Sequence, residues 1–242
     1  TRKCNLTCVH CYATPEAGRS ELSFEDYQRL IDDLRRLGTL FVLFTGGDVT
    51  VNPHFLDIAE YASDRHLAVQ IFTNAVLLDD EKIARLAALN VFHVAVSLYG
   101  ATAETHDAIT RHPGSFERTI RNAAKLHATG IYTHLKYIMM SGNVHEYEDM
   151  KALGDRIGVP YRIDVNLTPR DNKDMSPMRL RISDDDLRKI FLDQIHCFPD
   201  ARPCSSEGSS QFSCGMGKTF CSVNAYGDVY PCIQMPVPVG NL

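Results

Sequence analysis

The 242 residues are 44% hydrophobic and 23% charged, which suits one large soluble domain with a small appendage. The formal charge of −5 provides no basic field for a phosphate backbone, so nucleic acid is not expected as a partner. No apolar run approaches the roughly 20 residues of a membrane span and no secretory signal is evident, which points away from the membrane and toward the cytoplasm.

Residues 1–3 read as the end of a first strand whose body precedes Thr1. The tract Cys4-Asn5-Leu6-Thr7-Cys8-Val9-His10-Cys11-Tyr12 then carries three thiols at C-x-x-x-C-x-x-C spacing. Neither a strand nor a helix interior can turn all three outward, whereas a loop curling back on itself lets them converge. Thiolates select zinc or iron–sulfur clusters. A four-iron cluster takes four protein thiolates, so three together leave one iron open to another ligand. From the spacing alone, a zinc knuckle or three buried free thiols stay open as alternatives.

Ser23-Phe24-Glu25-Asp26 is a capping box with Asp in place of Glu. Leu30, Ile31, Leu34 and Leu37 follow at helical spacing, and Gly38 ends the helix. The apolar run 40–44 lacks alternation, the pattern of a parallel strand covered on both faces. The alternation then repeats: helix 53–66, strand 67–72, helix 79–89, strand 91–97, helix 115–127 capped by Ser115, strand 131–139, helix 144–157 and strand 161–167. Strands alternating with helices imply β-α-β units and a parallel sheet, six strands with the first included. Periodicity does not choose between a doubly wound sheet and a partial barrel. Residues 169–181 read as a polar linker or lid, and 183–191 as a capped helix. From Cys197 onward Gly, Ser, Pro and Cys dominate, a texture that buries little apolar area and invites a metal as staple.

The cysteines fall at the two ends, Cys4, Cys8 and Cys11, then Cys197, Cys204, Cys214, Cys221 and Cys232. Such clustering in a chain of this size favours metal ligation over a disulfide framework. In a parallel α/β domain the functional residues gather at the carboxyl ends of the strands. Those ends carry Thr45-Gly46-Gly47-Asp48, Thr73-Asn74 and Ser97-Leu98-Tyr99-Gly100. A turn at Tyr226-Gly227-Asp228 is expected to fold Cys221 and Cys232 toward each other.

The thiol tract, with His10 before the last Cys, resembles the cluster loop of the radical S-adenosylmethionine (SAM) enzymes. That resemblance implies an α/β fold of partial (β/α)6 TIM-like type over residues 1–195. It also implies a 4Fe–4S cluster on Cys4, Cys8 and Cys11, and SAM chelated at the open iron and cleaved to a 5′-deoxyadenosyl radical. The Gly46-Gly47-Asp48 turn resembles the family's GGE-P segment, whose backbone meets the SAM amino group; Asp48 stands for Glu and Val49 for Pro. Thr73-Asn74 resembles T-N-G, with Ala75 departing. Ser97 matches a SAM-contacting serine, and Tyr99 stands where relatives carry Asp. His10 belongs to the SAM site on the same mapping, and Leu167 falls at the adenine contact. Relatives hold the SAM carboxylate with an Arg after a His-Asp pair; here Thr110 occupies that place, leaving Arg111 or Lys136 to substitute.

Residues 196–242, with C-x₁₂-G-x₄-C spacing and Gly240-Asn241, resemble the start of a SPASM/twitch domain, an incomplete one. A second, auxiliary iron–sulfur cluster is implied on Cys214, Cys221 and Cys232, its fourth ligand being Cys204, Cys197, a residue beyond Leu242 or the substrate. Family members of this architecture act mostly on peptides, so the implied activity is maturation of a ribosomally made peptide, by thioether or carbon–carbon crosslinking or a related change. The implied partners are a peptide or small-molecule substrate and an electron donor such as flavodoxin or ferredoxin. Ile233, where sulfatase maturases carry an acidic base, argues against that branch. Haem-biosynthesis members, with a similar loop followed by Tyr, make tetrapyrrole chemistry the alternative, and a non-catalytic zinc or iron–sulfur module is the reading from another class.

Overall fold

The structure is a computed structural model that describes residues 1–14, 18–89, 91–197 and 215–242. Five strands, β1 (Phe41–Phe44), β2 (Ala68–Thr73), β3 (His93–Leu98), β4 (Thr133–Ile138) and β5 (Tyr161–Asp164), form one sheet in sequential order, every neighbouring pair parallel. Helices α1 (Phe24–Arg36), α2 (Phe55–Asp64), α3 (Asp80–Ala88), α4 (Ala103–Thr110), α5 (Ser115–Ala128), α6 (Tyr147–Ile157) and α7 (Asp184–Cys197) precede, link and follow them. A doubly wound sheet reverses its strand order at a switch point. This sheet does not, and the unbroken order is that of a partial barrel.

The core lies between strands and helices. Val69, Ile71, Val94, Val96, Leu98, Leu135 and Tyr137 point to the helical layer and meet Ile58, Ala62, Ile83, Leu86, Ala123, Leu126, Met150 and Leu153. The alternate residues of the same strands, including Phe72, His93, Ser97, His134 and Lys136, take the other face, because strand side chains alternate. The run over 40–44 departs from expectation. β1 alternates in exposure, with Phe41 52% and Leu43 41% accessible, since it is the sheet edge and its other flank carries no paired strand among the described residues.

Residues 1–3 lie beside the turn after β1, where Gly47 N–H donates to Thr1 O and Asp48 N–H to Lys3 O, both at 2.9 Å. The capping box at Ser23 and Asp26 forms as read. Ser115, read as a cap, is instead the first residue of α5. Asp107 caps that helix, accepting from Gly114 N at 2.6 Å, Phe116 N at 2.8 Å and Ser115 Oγ at 2.8 Å. The strand read over 161–167 stops at Asp164, whose carboxylate takes the Asn166 amide and Nδ2, each at 2.9 Å, in a turn that ends pairing. The last helix runs on to Cys197 rather than ending at 191. Tyr147 and Lys151 of α6 hold Asp193 at 2.6 and 2.7 Å and so fasten its later half.

A separate antiparallel sheet, β6 (Ser222–Val223), β7 (Asp228–Tyr230) and β8 (Gly240–Asn241), closes the described chain. Its turn docks on the segment before α1. Leu22 N–H donates to Ala225 O at 2.8 Å, and Arg19 grips both Asp228 oxygens at 2.6 and 3.1 Å while its guanidinium lies 4.7 Å above the Tyr226 ring.

Candidate functional site

The thiol tract lies against residues that follow the carboxyl ends of β1, β2 and β3. Its backbone is held by the end of α4: Thr7 N–H donates to Thr110 O at 3.3 Å and Val9 N–H to Ile109 O at 3.0 Å. The last carbonyls of a helix have no partner within it, so the loop and α4 satisfy each other. On the other side Asn74, just past β2, donates from Nδ2 to Asn5 Oδ1 at 3.0 Å and lies 3.8 Å from Cys4 Sγ. Within the loop, Cys11 N–H donates to Cys8 O at 3.2 Å and Leu6 N–H to Cys4 Sγ at 3.3 Å.

Cys4, Cys8 and Cys11 are near enough to act on one another's charge. Burial pushes the Cys8 thiol up to about 12, with the neighbouring Cys11 and Cys4 adding to it. Burial likewise raises Cys4 to about 11, helped by Asp48 and Cys11 and opposed by the Leu6 amide. Among the described residues, no three His, Cys, Asp or Glu side chains are placed to hold a single metal ion. The donor set suits an iron–sulfur cluster: three thiols share one partly desolvated space where a cationic centre would draw them into the thiolate form.

Gly46 and Gly47 owe their identity to the chain itself. A Cβ on Gly46, whose φ is +141°, would stand 2.1 Å from Thr1 O, and one on Gly47 2.1 Å from Lys3 O. Residues 1–3 thus approach the glycine turn closely. Asp48, 1% exposed, is fully engaged as a brace. Its carboxylate accepts from Thr50 N at 2.9 Å and from the Thr50 hydroxyl, and also from Thr73 Oγ1 at 2.9 Å and Asn74 N at 2.7 Å.

His10 reaches from the loop to Tyr99, ring centroids 4.5 Å apart and edge to face. Burial depresses its pKa to about 4, and its Nδ1 is buried with no hydrogen-bond partner among the described residues. Tyr99 stacks on its far side against His106 at 5.6 Å, and Ser97 lies near its hydroxyl. Ser97 pairs in register with Lys136 of β4. The Lys136 ammonium is 3.3 Å from Asp164 and 5.0 Å from the centre of the Phe72 ring. Leu167 packs with Cys8 and Val9 on a small cluster of Tyr99, Ile109 and Met140.

The fold thus brings together the thiol tract, Asn74, Asp48, Ser97, Tyr99 and Leu167, with Lys136 beside Ser97. Arg111 is exposed, in the left-handed C-cap of α4 at φ 56°. Cys221 and Cys232 directly flank the β6–β7 hairpin, whose register Ser222↔Tyr230 brings their segments side by side. Cys204 and Cys214 lie outside the described residues, as does the side chain of Cys197.

Sequence reasoning missed four supports of this site. Asn5 offers no periodic signal. His106 accepts the Tyr99 amide at 3.2 Å. Glu146, 7% exposed, takes Ala101 N at 2.6 Å, Thr102 Oγ1 at 2.8 Å and Thr105 Oγ1 at 2.6 Å, fastening the start of the unforeseen α4. Asp171, in the presumed linker, binds the chain just past Cys11. The Thr102-x-x-Thr105 spacing was the one local hint of a helix start.

A family model described as the radical SAM superfamily matches residues 1–157. The chain is 34% identical over 245 aligned positions to the mycofactocin maturase MftC of Mycobacterium ulcerans, covering 96% of this chain and 66% of that protein. It spans 62% of the Mycobacterium tuberculosis counterpart, and so less than two thirds of the length of these relatives. It is 29% identical to the AdoMet-dependent heme synthase of Methanosarcina barkeri, covering 100% of this chain and 77% of that one. In fold it is similar to Streptococcus suis SuiB, solved bound to S-adenosylmethionine, with a TM-score of 0.77 at 16% identity over 96% of this chain and 58% of that one. No helix among the described residues is long and apolar enough to cross a membrane.

Proposed function

The chain belongs to the radical SAM superfamily, and we propose that it is a peptide-modifying member, cleaving SAM reductively and abstracting hydrogen from a ribosomally made peptide during its maturation. The superfamily's 4Fe–4S cluster and SAM together supply the electron and the 5′-deoxyadenosyl radical for that chemistry. What this chain contributes is placement. Cys4, Cys8 and Cys11 hold the cluster and leave one coordination position for SAM. The Gly47 amide is taken by Thr1 O, and the carbonyls of Gly46 and Gly47 would be the acceptors for the SAM amino group. Ser97 and the neighbouring Lys136 would serve the SAM carboxylate, with Asn74 and His10 as further SAM-site residues and Leu167 as the adenine contact. Asp48 serves this site from behind, as the brace of the turn.

The observation that carries the peptide assignment is the 34% identity to a mycofactocin maturase across 96% of this chain, the Cys-rich end included. We further read residues 1–195 as the barrel unit and 196–242 as an auxiliary-cluster segment on Cys214, Cys221 and Cys232, with Cys204 as a further ligand. Such a cluster, when bound, would supply an electron acceptor beside the barrel. A cytoplasmic setting and a flavodoxin- or ferredoxin-type donor complete the reading.

A second reading is tetrapyrrole chemistry, favoured by the heme synthase relative, of which the chain covers the larger share at 77%. The deciding experiment purifies the protein anaerobically, measures iron, sulfide and the EPR spectrum, then adds dithionite and SAM. Formation of 5′-deoxyadenosine is expected. Mass change in a candidate precursor peptide supports the first reading, and decarboxylation of an iron porphyrinoid supports the second. A colourless zinc protein that leaves SAM intact would overturn both in favour of a metal-binding module.

A further inference from the structure

We propose that Asp171 is a positioning residue for the cluster loop, latching the connection between β5 and α7 onto the backbone just past Cys11. This inference rests on the reading of Cys4, Cys8 and Cys11 as the cluster ligands.

Asp171 uses both ends of its residue. Its backbone N–H donates to Tyr12 O at 3.0 Å. Its carboxylate accepts the Thr14 amide through both oxygens, at 3.0 and 3.2 Å. The same carboxylate pairs with the Arg2 guanidinium, and those side chains are only 15% and 24% exposed. One residue therefore spans the thiol tract, tied on one flank two residues before Cys4 and on the other from one to three residues after Cys11. A charge-assisted hydrogen bond in such a partly desolvated setting is stronger and more directional than a neutral one.

The connection that bears Asp171 is itself anchored. Leu180 O accepts the Ser141 amide at 2.8 Å, and Leu167 and Leu180 pack on the same Tyr99, Ile109 and Met140 cluster as Cys8 and Val9. α4 holds Thr7 and Val9 in the middle of the loop, and Asn74 holds Asn5 near its start. Without Asp171, nothing in that set restrains the strand of chain leaving Cys11. The third thiol, His10 and Tyr12 all lie on that side. The latch fixes the direction in which the loop departs, and with it the face that the three thiols present.

The test uses Asp171→Ala and the milder Asp171→Asn, which keeps an acceptor for Thr14 but loses the charge opposite Arg2, with Asp171→Glu as conservative rescue. In the apo protein, amide hydrogen exchange across 11–14 is expected to quicken by roughly tenfold or more in Asp171→Ala and by less in Asp171→Asn, while the amides of β2 to β4 keep wild-type protection. In the reconstituted protein, the change that SAM produces in the EPR signal is expected to weaken in both variants at near wild-type iron content, and Glu to restore part of it. Wild-type exchange at 11–14 in both variants, or an unaltered SAM-induced EPR change, overturns the latch. Should Asp171→Ala fail to fold, Asp171→Asn against Asp171→Glu decides the question by the same readings. If the wild-type protein itself binds no cluster, the functional reading falls, and the exchange result still decides whether Asp171 holds the loop.

Discussion

The carboxylate of Asp48 accepts the backbone N–H of Asn74 at 2.7 Å, joining the turn after β1 to the turn after β2. Through Asn74 Nδ2 and Asn5 Oδ1, at 3.0 Å, the same connection continues into the thiol tract. A buried acid at the family's glutamate position thus sets the geometry of the mouth from behind.

Asp48→Ala strips an acceptor from four donors, two of them backbone amides, and leaves the buried ones unpaired. The expected loss is about 3 kcal/mol of unfolding free energy, read from a urea titration of the apo protein. Asp48→Asn keeps an acceptor for some of those donors and falls between. An Asp48→Ala protein as stable as wild type would show that the brace is dispensable.

The thiol triad and Ser97 separate cluster binding from SAM binding. Cys11→Ala abolishes formation of 5′-deoxyadenosine, measured chromatographically after dithionite reduction. Ser97→Ala retains the cluster but weakens SAM affinity by about 1 kcal/mol, the worth of one hydrogen bond. Equal SAM affinity in that variant removes Ser97 from the site.

Cys232 tests the second metal site. Cys232→Ala is expected to lower iron per chain while leaving SAM cleavage without substrate intact. If the proposed auxiliary cluster serves as electron acceptor, peptide turnover is expected to fall as well. Unchanged iron content counts against an auxiliary cluster on this cysteine.

His93 and His134 stack inside the barrel with Nε2 and Nδ1 2.7 Å apart, a contact needing one donor and one acceptor nitrogen. Burial first, then the charges of His93, Arg162 and Lys136, depress His134 to about 4. An imidazole depressed in this way favours the folded state fully only above its unfolded pKa of about 6.5. The contribution declines as pH falls from there toward about 4. At pH 5 the wild-type protein is expected to be measurably less stable than at pH 7.5 on this account. His134→Gln should flatten the fall in urea midpoint between pH 7.5 and pH 5, and an equal slope in both proteins would sink the assignment.

The thiol spacing, the helical periodicity of α1, α5 and α6, the buried strands β2 to β4 and the hairpin turn at Tyr226–Asp228 were all legible in the sequence, because each is set by residues within a few positions of one another. Local pattern also brought out the two glycines, though not what approaches them. What the tertiary structure alone decided lies in partners far apart along the chain: Asp48 with Asn74, Asp107 as the cap of α5, Glu146 holding the short α4, and Asp171 against Thr14 and Arg2. A carboxylate in the sequence is compatible with a surface charge, a cap or a brace. Which it becomes depends on the donors that folding delivers to it from other strands and helices, and on how far water is excluded where they meet.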